Sequence, residues 1–318
     1  MKIQLGIDFG GSYVSICKKG EGIVFKEPSL ISVKGENSKY HITAMGNNAK
    51  KNQGKIFEKI LVFSPFSEGL VKSIDYASLY LKFALSKVFN KVRYSKLSCT
   101  LSVPVGISQE EEKKYIQICT NAGIKNVKTI KAVLCSAQTV LLNYSPMLIV
   151  DIGGAKTDVA VVSNKSVLQG ATLGIGGNLM NSQIIEIVRK RYNLEIDEVT
   201  AEMIKQNIGS LYLNDTLSLE VVGIDLSTQA PNNLVIYSKD LREGLLLYFK
   251  EVVKVIKATL AELNEEDAKL ILTNGLILTG GISGISGVEE YFFNSLGLKA
   301  VISEYAENSV IIGLLKLI

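Results

Sequence analysis

The chain has 318 residues, of which 47% are hydrophobic and 21% are charged, and its formal net charge is +4. This composition is typical of a folded protein with a large core, and the length predicts two domains of ordinary size. The net charge is small and the basic residues are scattered without interleaved aromatic residues, so we expect no nucleic-acid partner. No apolar run reaches the roughly 20 residues that span a bilayer.

The four cysteines form no C-x-x-C pair, and His41 is the single histidine in the sequence. This cysteine usage is typical of reduced thiols, and strand-like residues from Ile3 onward leave no room for a signal peptide. We therefore expect a cytoplasmic protein. One histidine excludes most histidine-based metal sites and a Ser–His catalytic triad.

Hydrophobic periodicity predicts strands that alternate with helices in the first half of the chain. In order, the predicted elements are a hairpin around Asp8, strands over 22–26, 29–33 and 40–45, a short helix over 47–52, a helix over 74–91, a strand over 97–103, a helix from Ser108 to about Ala122, a strand over 127–130 and a helix over 133–142.

The second half repeats this arrangement. The predicted elements are a hairpin over 147–162, a helix over 179–192, a helix capped by Thr200 that runs to Gly209, strands over 217–222 and 234–237, a long helix over 238–263, a strand over 275–278, a helix that follows Gly281 and ends at Leu296, a strand over 299–302 and a final helix from about Glu307. This order predicts mixed α/β sheets covered on both faces, with a ligand cleft between two related halves.

The same turn occurs in both predicted hairpins. Asp151 is followed by Gly153 and Gly154, and Asp8 is followed at the same offsets by two further glycines. Two such turns facing each other would place backbone N–H groups around one polyphosphate, and their carboxylates would hold a hydrated Mg²⁺. For either turn taken alone, a tight structural turn is the alternative.

Three segments resemble the phosphate-1, phosphate-2 and adenosine motifs of the actin and heat-shock-chaperone ATPase superfamily: IDFGGSYVSI, DIGGAKTDVAVV and LILTGGISGISGVEEYF. From residue 3 to the C-terminus the chain resembles the bacterial cytoskeletal branch, MreB. The resemblance implies an actin-like α/β fold of two duplicated ribonuclease-H-like halves, each with an insertion, around a nucleotide cleft. The implied subdomains are IA (1–28, 72–144 and about 303–318), IB (29–71), IIA (145–180 and 244–302) and IIB (181–243).

The resemblance also implies ATP and Mg²⁺ as cofactors and a role for individual residues. Asp8 and Asp151 would hold Mg²⁺ through water, and Asp158, with Thr157 as a weaker candidate, would act in catalysis. The implied nucleotide-binding residues are Asp8, Gly10, Gly11, Ser12, Asp151, Gly153, Gly154, Ala155, Gly177, Glu202, Lys205, Gly280, Gly281 and Ile282.

Some of these residues have a structural alternative. The glycines at 281, 284 and 287 are also consistent with close packing of a helix on a strand, or with a dinucleotide-binding fold, although the chain start lacks G-x-G-x-x-G. Glu202 and Lys205, three residues apart, are also consistent with an exposed ion pair on one helix.

The chain departs from the family pattern at three places. Tyr13 is bulky for a phosphate-facing turn, so its side chain is predicted to point away. Ala155 and Lys156 stand where the family has glycine and threonine. In the segment before the second hairpin, Lys131, Ala132 and Val133 stand where the family has two glutamates and a proline, and one of those glutamates positions the hydrolytic water. Since alanine cannot orient water, we expect slow or absent ATP hydrolysis.

The resemblance implies head-to-tail self-association into filaments for cell shape or cell-wall organisation. A nucleotide-dependent switch or scaffold that regulates another filament is the main alternative, and a small-molecule kinase is a third. The resemblance also raises peripheral contact with the inner face of the membrane and with other shape-determining proteins. For the membrane, the candidate is the basic segment 90–98, with Lys91, Arg93 and Lys96, and its alternative is a solvated loop.

Overall fold

The computed structural model describes residues 3–36, 39–54, 59–90, 92–140 and 145–318. Within the described ranges, the first part of the chain forms ten strands and four α-helices. Their bounds are β1 Ile3–Phe9, β2 Tyr13–Lys18, β3 Gly22–Pro28, β4 Ile31–Glu36, β5 Lys39–Met45, α1 Asn47–Lys50, β6 Ile60–Phe63, β7 Phe66–Ser67, β8 Leu70–Val71, α2 Ile74–Val88, β9 Leu97–Val103, α3 Gln109–Asn121, β10 Asn126–Lys131 and α4 Ala132–Ala137.

The second part forms eight strands and six helices. Their bounds are β11 Met147–Ile152, β12 Thr157–Ser163, β13 Ser166–Leu173, α5 Gly177–Tyr192, β14 Leu194–Glu195, α6 Glu198–Ile208, β15 Ser218–Asp225, β16 Pro231–Tyr237, α7 Ser238–Ala261, α8 Glu265–Asn274, β17 Leu276–Thr279, α9 Val288–Leu296, β18 Ala300–Ile302 and α10 Ser309–Leu317.

Two five-stranded sheets organise the molecule, and they have the same strand order. The N-terminal sheet runs β10-β9-β1-β2-β3, and the C-terminal sheet runs β18-β17-β11-β12-β13. In each sheet the first two pairs of neighbouring strands in that order are parallel, and the last two pairs are antiparallel. The predicted duplication is therefore confirmed in the fold, and the two Asp–x–Gly–Gly turns occupy equivalent positions between β1 and β2 and between β11 and β12.

Two small three-stranded sheets are formed by segments that are inserted between the strands of the large sheets. One has the order β5-β4-β6 and the other β14-β15-β16. They fall within the segments predicted as subdomains IB and IIB, although the exact subdomain bounds stay a prediction.

Helices α4 and α10 lie at the junction of the two large sheets. Helix α4 packs on β9 and β10 as well as on β11 and β12, while α10 packs on α4 and on β1 and β2. A Cβ added to Gly313 would overlap the backbone of Cys135, so the two helices are in close contact. The buried hydroxyls of Ser136 and Ser309 lie 3.2 Å apart and join the same pair of helices.

Several predicted elements differ from those observed. Helix α4 ends at Ala137 rather than at residue 142, and residues 141 and 142 lie outside the described part of the chain. Helix α6 is capped by Asp197, whose carboxylate accepts a hydrogen bond from the backbone N–H of Thr200, so the predicted cap at Thr200 is wrong. Strand β13 and helix α8 were not predicted.

None of the helices in the described ranges has an apolar stretch sufficient to traverse a bilayer.

Candidate functional site

The two glycine turns close with the same hydrogen bond. The Gly10 N–H donates to the Tyr13 carbonyl at 2.9 Å, and the Gly153 N–H donates to the Lys156 carbonyl at 3.0 Å. Tyr13 and Lys156 are therefore equivalent positions in the two hairpins. Asp8 and Asp151 lie near the C-terminal ends of the central strands β1 and β11, so each carboxylate is held at that end of its sheet.

The two turns lie face to face. A Cβ added to Gly11 would overlap the side chain of Ala155, and a Cβ added to Gly154 would overlap the hydroxyl of Ser12. A third glycine, Gly280, has a φ of +84°, and a Cβ there would lie 2.6 Å from a carboxylate oxygen of Asp151. Only glycine fits at such positions without displacing the opposite turn.

A cavity of about 320 Å³ lies between these turns. The predicted nucleotide-binding residues that line it are Asp8, Gly10, Gly11, Ser12, Asp151, Gly153, Gly154, Ala155, Glu202, Lys205, Gly280, Gly281 and Ile282. The structure thus brings predicted residues from four separate segments of the chain to one cavity. Their contact with a nucleotide stays a prediction.

Three predicted site residues lie behind the cavity wall. Gly177 is the first residue of α5; its N–H donates to the Gly153 carbonyl at 3.0 Å, and its own carbonyl accepts from Lys205 Nζ at 3.0 Å. Thr157 is fully buried, and its hydroxyl donates to the Ile175 carbonyl at 2.9 Å.

Asp158, the principal catalytic candidate, is the third of these residues, and it is also fully buried. One carboxylate oxygen accepts from the Val105 N–H at 3.3 Å and from the Thr172 hydroxyl. The other oxygen is paired with the ammonium of Lys156. The structure therefore does not place the Thr157 or Asp158 side chain on the wall, and their catalytic roles stay predictions.

Three carboxylates and one lysine set the electrostatics of the cavity. Burial raises the pKa of Asp8, and the hydrogen bond from Ser102 opposes this shift. Burial raises the pKa of Asp151 to about 6, against the attraction of the Lys156 ammonium. Burial alone would lower the pKa of Lys156, but the nearby carboxylates of Asp158, Asp151 and Asp8 outweigh it and raise that pKa. The lysine thus stays charged beside both candidate Mg²⁺ ligands.

The predicted pair of Glu202 and Lys205 is divided between two networks. Lys205 is buried and donates to the Asn181 side chain at 2.7 Å as well as to Gly177, and burial lowers its pKa to about 8. Glu202 is paired with Lys50 of α1, with 3.2 Å between Nζ and Oε2. The alternative of an exposed ion pair between Glu202 and Lys205 is not what the structure shows.

Sequence reasoning missed several wall residues. Tyr13 lines the cavity rather than turning away, and the ammonium of Lys26 lies 5.1 Å from the centre of its ring. Lys26 also donates to the Asn308 side chain at 2.8 Å, which joins β3 to the segment before α10. The sequence analysis noted Lys156 only as a departure from the family pattern. Its place between Asp151 and Asp158 in the sequence could have indicated a lysine that neutralises these carboxylates.

The fold and this paired-turn cavity define a protein of the actin-like class. The family described as MreB/Mbl protein matches residues 2–318, so the chain belongs to that family.

Relatives and solved structures agree with this assignment. The cell shape-determining protein MreB of Pasteurella multocida is 30% identical over 95% of this chain and 88% of its own length. The cell shape-determining protein Mbl of Bacillus cereus is 27% identical over 98% of this chain and 94% of its own. A crystal structure of MreB5 of Spiroplasma citri bound to AMPPNP has a TM-score of 0.91 and 26% identity, covering 98% of this chain and 95% of that one. A MamK double helical filament has a TM-score of 0.80 at 16% identity over 100% and 98% of the two chains, which supports the fold.

Proposed function

We propose that this chain binds ATP in the cavity between its two glycine turns. The observation that carries the proposal is the face-to-face placement of two equivalent Asp–x–Gly–Gly turns around one cavity. Backbone N–H groups of such turns suit phosphate oxygens, and Gly280 provides a third close backbone approach. The S. citri relative was crystallised with AMPPNP and with ADP, which supports a nucleotide as the ligand.

The fit of Mg²⁺ is poorer than the sequence predicts. Asp8 and Asp151 line the cavity and could face a hydrated ion, but the charged Lys156 already lies among them. Within the described ranges, no group of three or more His, Cys, Asp or Glu side chains is placed to hold a metal ion. The nucleotide binding that we propose therefore does not depend on a metal held by these carboxylates.

The chemistry we propose for the cavity is binding with slow or absent hydrolysis. Ala132 begins α4 and lines the cavity, and its methyl group can neither polarise nor orient a water molecule. Phosphoryl transfer depends strongly on such a group. The chain would then switch slowly between its nucleotide-bound and nucleotide-free states, without rapid turnover of ATP.

The cellular role we propose is that of a filament-forming cytoskeletal protein for cell shape or cell-wall organisation, located in the cytoplasm. The names of its MreB and Mbl relatives support this role. Head-to-tail contacts between identical chains need not close into a ring, so they produce filaments. Peripheral contact with the membrane, through the segment that contains Arg93 and Lys96, and contact with other shape-determining proteins complete the proposal; Lys91 lies outside the described residues.

Nucleotide binding is tested by titration with a fluorescent ATP analogue. We expect saturable binding by the wild-type chain and a loss of about tenfold or more in affinity when Gly154 is replaced by valine, because a Cβ there would overlap the Ser12 hydroxyl of the opposite turn. Thermal unfolding of the variant provides the control for folding. Absence of binding by the wild-type chain, or unchanged affinity in the folded variant, would overturn the proposal.

Filament formation is tested by sedimentation with and without ATP. Nucleotide-dependent pelleting at micromolar protein supports a filament. A chain that binds ATP yet stays in the supernatant at all concentrations would instead support the nucleotide switch that regulates another filament.

A further inference from the structure

Lys156 closes the second glycine turn with its backbone and also lines the cavity. Its backbone carbonyl closes the turn by accepting from Gly153, and its side chain is only 19% exposed. The residue lines the same cavity as Asp8 and Asp151. A positive charge therefore lies near the two carboxylates that the sequence predicts to hold a hydrated dication.

The lysine is held in place from behind. Its ammonium is paired with Asp158, and that carboxylate is fixed by the Val105 N–H and the Thr172 hydroxyl. An ammonium has three N–H donors. Asp158 is the one hydrogen-bond acceptor that the described residues give to Nζ, so the remaining donors can serve phosphate oxygens in the cavity.

The charges that line the cavity indicate a role for the Lys156 ammonium. Asp8 and Asp151 line the cavity, and their carboxylates would repel a polyphosphate in a partly buried site; a bound dication is one way to offset that repulsion. A fixed ammonium offsets it as well, and it simultaneously repels a second cation placed beside it. The lysine also acts as a point charge toward phosphate.

We propose that the ammonium of Lys156 takes the place of a divalent cation at the paired turns, so that this chain binds the triphosphate of a nucleotide with little dependence on Mg²⁺. This inference rests on the proposed nucleotide binding. It makes Lys156 the residue that sets the cation requirement of the site.

The test is a set of titrations with a fluorescent ATP analogue, in excess Mg²⁺ and in excess EDTA. For the wild-type chain we expect the two dissociation constants to differ by less than about fivefold, which is below the usual range of coupling between two ligands. For Lys156→Thr, which removes the charge, we expect the Mg²⁺-free affinity to fall at least about tenfold and Mg²⁺ to restore most of it.

Three further variants distinguish the loss of the charge from the loss of folding. Because Lys156→Thr leaves a buried carboxylate without its partner, the double variant Lys156→Thr/Asp158→Asn removes both charges and is measured if the single variant does not fold. Lys156→Arg keeps the charge and should stay independent of Mg²⁺. Lys19→Thr, at an exposed turn, is the matched control for the loss of a lysine and should behave as wild type.

The outcomes separate this inference from the proposed function. Wild-type binding that falls fivefold or more in EDTA, or an equal Mg²⁺ dependence in wild type and the folded charge-removal variant, would overturn the role of Lys156 while leaving nucleotide binding intact. If the wild-type chain binds nucleotide in neither condition, the proposed function itself fails.

Discussion

Lys50 Nζ lies 3.2 Å from Glu202 Oε2, which joins α1 of the first insertion to α6 of the second. Nearby, a Cβ added to Gly54 would lie 3.1 Å from a carboxylate oxygen of Asp197, so the two insertions meet at more than one point. Because Glu202 also lines the cavity, this contact lies beside the route by which a ligand enters or leaves.

Removal of the Lys50 charge should speed nucleotide release. A partly exposed pair contributes about 0.2–1 kcal/mol, which corresponds to a rate increase of about 1.4- to 5-fold. We expect this increase in Lys50→Ala, measured by stopped-flow displacement of a fluorescent ATP analogue. Lys51→Ala, at the adjacent exposed position, is the control. Identical release rates in all three proteins would show that the pair does not restrain the insertions.

Crowding between the turns gives a second prediction. Gly11→Ala places a methyl group on Ala155 and should force the turns apart, with a loss of about tenfold or more in nucleotide affinity. Gly284→Ala is the matched control, because Gly284 also lines the cavity but an added Cβ would meet nothing within 4 Å. Equal affinity in the two variants, measured by the same titration, would contradict the packing described for the turns.

The position of Ala132 gives a third prediction. Ala132→Glu should raise phosphate release by about tenfold or more over the wild-type rate, because a carboxylate at the start of α4 could orient water in the cavity. Ala132→Leu supplies similar bulk without a carboxylate and should stay at the wild-type rate. Wild-type turnover already equal to that of folded Ala132→Glu would contradict the proposed slow hydrolysis.

Burial of Lys205 predicts a pH dependence of stability. Its pKa is about 8 in the folded chain, against 10.5 for the free side chain, with burial as the main cause. Between these values the unfolded state binds more protons, so the free energy of unfolding rises with pH. From pH 7 to pH 10 we expect wild type to gain about 2 kcal/mol relative to Lys205→Met, measured by urea unfolding. Parallel pH profiles would show that Lys205 titrates normally.

Thr157 provides a test of structural against catalytic roles. Its hydroxyl lies 2.5 Å from the buried hydroxyl of Tyr248. Thr157→Val should therefore lower the free energy of unfolding by about 1–3 kcal/mol, while nucleotide affinity changes less than twofold. Thr157→Ser keeps the hydroxyl and should retain most of the stability. If stability is unchanged and phosphate release alone falls, the predicted catalytic role is supported instead.

Local patterns were sufficient to predict the hairpins and the duplicated plan. Asp8 and Asp151 each follow an alternating or apolar strand and precede paired glycines, and these signals involve few residues and no distant contact. Strand β13 was missed because only one face of it is partly covered, so SVLQGATL shows no clear alternation. Helix α8 lies beyond the predicted end of the long helix at residue 263, and it was missed because its apolar residues Leu270 and Leu272 are exposed and show no clear buried face.

The site was predictable to the extent that each residue belongs to a motif. The turn glycines have a local signature, whereas the partners of Glu202 and Asp158 depend on how distant segments meet. Nothing near Glu202 in the sequence indicates Lys50, 152 positions away. Likewise, the enclosure of Asp158 by Val105 and Thr172 follows from the packing of the C-terminal sheet against the segment after β9.

The chain passes from one large sheet to the other at two places, between α4 and β11 and between β18 and α10. Helix α4 precedes the first of these passages and α10 follows the second, and the two helices are packed on each other. For a hinge rotation of one half against the other, we therefore expect the axis to lie near the packed pair of α4 and α10. Such a rotation would change distances least at the contact between Ser136 and Ser309, so a substitution at the buried Ser136 would alter the mechanics of the whole molecule from a position away from the cavity.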